Sequence, residues 1–130
     1  MQYSAARIVM CTLVTSLLVW ISPRIIAAES DQVAFNNRCR TCHSIKAGDN
    51  RMGPSLHGVA GRKAGSLGEF AGYSQALKSS GIVWDADTLN KFIANPDAVV
   101  PGNNMKPYPG ITDEAERARI VAYLAPQSGE

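Results

Sequence analysis

The chain has 130 residues, room for one small domain and little else. Its 13 Lys and Arg against 11 Asp and Glu give a formal charge of +2. No basic cluster or aromatic–basic pattern accompanies that excess, which excludes the nucleic-acid-binding classes.

Residues 1–28 read as a secretory signal peptide. Arg7 supplies a positive start, an apolar run follows from Ile8 to Ile21, and Ser22-Pro23-Arg24 leads to the small pair Ala27-Ala28. The apolar run is shorter than the about 20 residues of a membrane-spanning helix. Ile26 sits where a small residue best suits cleavage after Ala28, so an uncleaved anchor that holds the protein at a membrane is the rival reading. The folded domain is then 29–130. Without Arg7 and Arg24 it has eleven charges of each sign, distributed unevenly: residues 29–84 carry +3 and residues 85–130 carry −3. Such asymmetry can orient a protein toward a charged partner; two ordinary solvated faces explain it equally well.

Four helices are expected in the domain. Ser30 or Asp31 can cap the first, which contains Val33, Ala34 and Phe35 and runs into a cysteine pair. The second covers Tyr73 to Ser80, with Gly81 as its C′ residue. Asp85 or Asp87 caps the third, whose Leu89, Phe92 and Ile93 share a face until Pro96 halts it at Asn95. Thr112 is the expected N-cap of the fourth, with Asp113, Glu114 and Glu116 in its first turn. Ala118, Val121, Ala122 and Leu124 form the expected apolar face, flanked by Ile120 and Tyr123. Stretches 47–68 and 95–111 read as Gly- and Pro-rich loops, and no run reads as a strand. An all-α domain this small buries a modest core, and a large apolar cofactor at its centre would remedy that.

Cys39-Arg40-Thr41-Cys42-His43 announces such a cofactor. A C-x-x-C-H run is the attachment signature of c-type haem: two thiols on one turn each add to a porphyrin vinyl group, and the adjacent His meets the iron. Three other readings compete. A thioredoxin-like pair needs a βαβ context, which is missing. A structural zinc needs four ligands, and beyond this motif only His57 is left. A disulfide across two residues leaves His43 unexplained. For the sixth iron position the candidates are Met52, His57 and Met105. Met105 is the expected ligand, because it lies 62 positions after His43, far enough for the chain to wrap a haem and return to its other face.

These motifs make the chain resemble a class I cytochrome c, similar to the mitochondrial protein and its soluble bacterial counterparts, from about Phe35 to Leu124. Besides the haem motif, the resemblance rests on Gly53-Pro54-Ser55-Leu56-His57-Gly58, Gly61-Arg62-Lys63-Ala64-Gly65 and Tyr73. It continues through Gly81-Ile82-Val83-Trp84, Asn95-Pro96, Pro101-Gly102-Asn103-Asn104-Met105 and Ile120-Val121-Ala122-Tyr123-Leu124. It implies an all-α fold of about four short helices and long loops around one covalent haem c, held by Cys39 and Cys42 and ligated by His43 and Met105. It further implies that the Pro54 carbonyl accepts from His43 Nδ1–H. Tyr73 and Trp84 would donate to a haem propionate with Arg62 nearby, and Phe35 would meet Tyr123 where the first and last helices cross.

There are departures. Phe92 stands where mitochondrial members have a Tyr near the ligand sulfur, and Asn103 replaces a Thr that contacts a propionate. Asp97, Ala98 and Asn104 occupy positions that are lysines in the mitochondrial docking ring. The implied function is a non-enzymatic, monomeric, periplasmic carrier that moves one electron between redox proteins, such as a quinol–cytochrome c reductase and a terminal oxidase, in transient, electrostatically guided contacts. A dedicated acceptor for one periplasmic dehydrogenase is the second reading. A ligand-binding or catalytic haem protein with a labile sixth position is the third.

Overall fold

The computed structural model describes residues 23–125, with side chains from Ser30 onward. Five helices follow in order: α1 (Pro23–Arg38), α2 (Gln75–Ser79), α3 (Ala86–Ala94), α4 (Pro96–Val99) and α5 (Glu114–Leu124). Among the described residues the only β pairing is an isolated antiparallel bridge between Lys63 and Val83. The expected all-α architecture with long loops is what the chain forms, with one helix more than the four expected.

Helix α1 already runs through Ser30 and Asp31, so neither caps it. The expected processing boundary after Ala28 falls within α1; residues 1–22 of the expected signal segment lie outside the described residues. Helix α2 is shorter than expected. The Ser74 hydroxyl accepts the Leu77 N–H at 3.2 Å and starts it, which leaves Tyr73 just ahead of the helix. Gly81 follows with a positive φ of 72°, as a C′ residue requires.

Asp85 caps α3 in a capping box: its carboxylate accepts from Thr88 N at 2.7 Å, and Thr88 Oγ1 accepts from Asp85 N at 2.8 Å. Pro96 ends α3 as expected and also opens α4. Asn95 closes the first helix and, with its side chain accepting from Ala98 N, caps the second. Part of the expected 95–111 loop is therefore helical.

The N-cap of α5 is Asp113 and not Thr112. Its carboxylate accepts from Glu116 N at 2.9 Å and places a full negative charge at the positive helix end. The buried stripe of α5 also differs from expectation. Ile120, Val121 and Leu124 face inward, while Ala118 and Ala122 are exposed, because the largest side chains take the face toward α1 and α3.

The core gathers Phe35 of α1, Leu77 of α2, Leu89, Phe92 and Ile93 of α3, and Ile120 and Leu124 of α5. Phe35 meets Tyr123 with ring centroids 5.3 Å apart, at the expected helix crossing. Arg38 closes the same crossing with two hydrogen bonds to Glu116, at 2.8 and 3.0 Å.

Candidate haem site

The Cys39–His43 run hangs from the end of α1 as one further turn. Cys39 N–H donates to Phe35 O at 2.8 Å, and the N–H groups of Cys42 and His43 both donate to Cys39 O, at 3.1 and 2.9 Å. Both cysteines are free and half-buried. Burial, with a smaller contribution from Cys42, pushes the Cys39 thiol up to about 12. A thioredoxin-like pair needs a βαβ context, and the described residues hold only an isolated β-bridge between Lys63 and Val83. Among the described residues no group of three or more His, Cys, Asp and Glu is placed to hold a bare metal ion.

His43 is buried, and its Nδ1 lies 2.8 Å from Pro54 O. A carbonyl only accepts, so Nδ1 carries the proton and Nε2 keeps its lone pair. Burial lowers the pKa of the ring, partly offset by the Pro54 bond, and favours the neutral imidazole that ligates metals. Gly53 N–H donates to Cys42 O at 2.8 Å and brings the backbone flat against this ring. A Cβ on Gly53 would collide with it, lying 2.8 Å from Nδ1 and 2.9 Å from Nε2. Met52 stands on the tip of the same turn and is 71% exposed, which removes it as a buried ligand.

The other predicted residues are drawn together by loop pairings. Trp84 N–H donates to Arg62 O at 2.9 Å and Gly61 N–H to Trp84 O at 2.6 Å, so the 61–64 loop runs antiparallel to the Trp84 segment. Trp84 is buried, and its ring lies 5.0 Å from that of Phe92. Arg62 is half-buried and donates through Nη1 to His57 O and through Nη2 to Ser55 O, each at 2.9 Å. Burial lowers its pKa, with Tyr73 opposing. Burial raises the Tyr73 phenol, with Arg62 pulling it back, so the two side chains share one environment.

Asn104 joins this group to the Met105 loop. Its Oδ1 accepts from Ser74 N at 3.1 Å and its Nδ2 donates to Gly72 O at 2.6 Å, gripping the backbone on both sides of Tyr73. Met105 itself is partly buried against the core. Gly53, Asn103 and Asn104 were not among the expected site residues. The glycine lay in the motif read for Pro54, and both asparagines in the motif read for Met105.

A cytochrome c family model matches residues 27–128. The chain belongs to the cytochrome c family. This cytochrome is similar to cytochrome c2 iso-2 of Magnetospirillum fulvum, 48% identical over 86 residues that span 66% of this chain and 88% of that protein. It is 42% identical over 97 residues to cytochrome c of Euglena viridis, spanning 75% of this chain and 93% of that one. Cytochrome cH from Methylobacterium extorquens superimposes with a TM-score of 0.69 at 39% identity, over 76% of this cytochrome and 97% of that structure. The fold is the class I cytochrome c fold, and the family binds one covalent haem c, with His/Met ligation typical of the class. The protein is a single-haem electron carrier and not an enzyme. The residues present fit that cofactor: two free thiols on one turn, a neutral imidazole with one nitrogen fixed, and a glycine cradle that a side chain would fill.

Proposed function

We propose that Cys39 and Cys42 hold the haem through thioethers, that His43 Nε2 and Met105 sulfur are the axial ligands, and that the protein carries single electrons between periplasmic redox proteins. The observation that carries the reading is the His43–Pro54 hydrogen bond at the end of the Cys39–Cys42 turn, with the second nitrogen left for iron. When bound, the haem supplies a one-electron ferric–ferrous couple, raised by a methionine ligand and a buried setting. Pro54 orients the imidazole and raises its basicity as a donor. Gly53 permits the backbone to lie against the ring, while Trp84, Tyr73 and Arg62 form a polar-edged wall suited to a propionate.

Residues 1–28 act as the export signal in this proposal, and the domain 29–130 works as a diffusible monomer. No helix among the described residues is long and apolar enough to cross a membrane. Several exposed charges are already paired: Lys91 with Asp87, Lys106 with Asp97, and Arg38 with Glu116. Paired surface charges weaken the net field that holds a partner, which favours small and transient contacts. A quinol–cytochrome c reductase and a terminal oxidase are the proposed partners; a dedicated periplasmic dehydrogenase is the second reading, which suits a chain with Asp97, Ala98 and Asn104 at docking-ring lysine positions.

The oxidised absorption spectrum tests the ligand set. A weak long-wavelength band of sulfur bound to ferric iron is expected in the parent and lost in Met105→Ala, with no carbon monoxide binding by the reduced parent. A parent without that band, or one that binds carbon monoxide readily, overturns the proposal.

A further inference from the structure

Asn103 is buried, 5% exposed, in a loop whose neighbours are mostly open to solvent. Its Oδ1 accepts the Met105 N–H at 3.0 Å. Its Nδ2 makes two bonds, to Val100 O at 3.0 Å and to Asp97 Oδ1 at 2.9 Å. A primary amide has two N–H donors, and both are engaged, so this side chain has none left for a propionate. Asp97 continues the chain, since its other oxygen takes the Lys106 ammonium. Asn103 and Lys106 are therefore tied to one carboxylate, and Asn104 between them is tied to Gly72 and Ser74. Of the four residues 103–106, only the thioether of Met105 is left without a hydrogen-bonded partner.

We infer that Asn103 is the positioning residue for Met105: its amide fixes the backbone of the ligand loop and so sets how readily the sulfur leaves the iron. This rests on the proposed ligand role of Met105. A methionine has three rotatable side-chain bonds, so an unfixed backbone would add to an already large ordering cost on ligation. A fixed backbone keeps the sulfur at high effective concentration, against which any external ligand must compete.

Imidazole titration of the oxidised holoprotein, followed by loss of the sulfur band, measures that competition. Asn103→Ala is expected to bind imidazole about tenfold more tightly than the parent, the worth of one buried hydrogen bond at its upper range. Asn103→Thr, whose hydroxyl can accept an N–H two residues on, should return affinity to within about threefold of the parent; a merely structural role would not give this rescue. Asp97→Ala, an exposed site, covers the case in which Asn103→Ala fails to fold, with an expected tightening of about threefold. An Asn103→Ala holoprotein that binds imidazole within about twofold of the parent overturns the inference, as does an Asp97→Ala variant that leaves it unchanged when Asn103→Ala does not fold. A parent that lacks the sulfur band overturns the ligand assignment and this inference with it. A parent that shows the band beside an unmoved Asn103→Ala overturns this inference alone.

Discussion

On the His43 side the restraint is main-chain and steric, whereas on the Met105 side it comes from side-chain amides. The Cys39–His43 turn is an extension of α1, and α1 is clamped to α5 through Phe35 and Tyr123. Gly53 leans on the imidazole, and the Pro54 carbonyl accepts a hydrogen bond from its Nδ1–H. The Met105 loop has no helix of its own between α4 and α5, and Asn103 and Asn104 bind it to its surroundings. Packing against a ring tolerates little change, because a core close to crystal density has no room for displaced atoms. Single hydrogen bonds contribute about 1 kcal/mol each and can be exchanged. The two sides should therefore fail differently: the first by losing fold or cofactor, the second by losing only its hold on the sulfur.

The largest effect should come from Phe35→Ala, which empties the α1–α5 crossing. A loss of about 4 kcal/mol in urea unfolding is expected, with the His43 side opening first. Gly53→Ala should follow at about 3 kcal/mol, because the added methyl overlaps a ring that Pro54 prevents from moving. Its yield of haem-attached protein should fall as well. Asn104→Ala should cost about 0.5–1 kcal/mol. Amide hydrogen exchange should quicken at 72–74 and 103–106 and stay unchanged at 53–56, and quickening in both places would erase the contrast between the sides.

Acid should produce the smallest effect near neutrality and a growing one below. Asp85 is held below the ordinary carboxylate range first by the backbone N–H of Thr88, and Asp113 by that of Glu116. A depressed folded pKa means that this stability is fully present above the ordinary aspartate value and is lost as the pH falls through the folded one. Urea midpoints should thus hold steady from neutrality to about pH 5 and fall below about pH 4, where free aspartate starts to protonate. Replacing both caps by Ala should flatten that acid limb.

How much of this was legible in the sequence depended on how local the cause was. The haem motif was legible because its five residues act within one turn, and Asp85 and Gly81 because caps are set by immediate neighbours. Pro96 was read only as a stop, although the same ring geometry makes it a good first residue for α4. Thr112 lost to Asp113 because the two stand side by side and both are competent caps. The α5 stripe was misplaced onto Ala118 and Ala122, since small apolar residues fit the period without needing burial. Gly53 and Asn103 were not legible in their roles. One acts on a ring brought to it by tertiary packing, and the other depends on Asp97 and Val100, which only the α4 turn delivers. Asn103 stood out in the sequence as a missing propionate contact; the fold gives it the backbone of Met105 instead.

Proton NMR of the reduced, diamagnetic holoprotein tests the central claim most directly. A methionine methyl bound at the iron lies over the porphyrin ring current, so a three-proton singlet should appear far upfield in the parent and be absent in Met105→Leu. A parent spectrum without that singlet, or a singlet that survives Met105→Leu, would contradict the account.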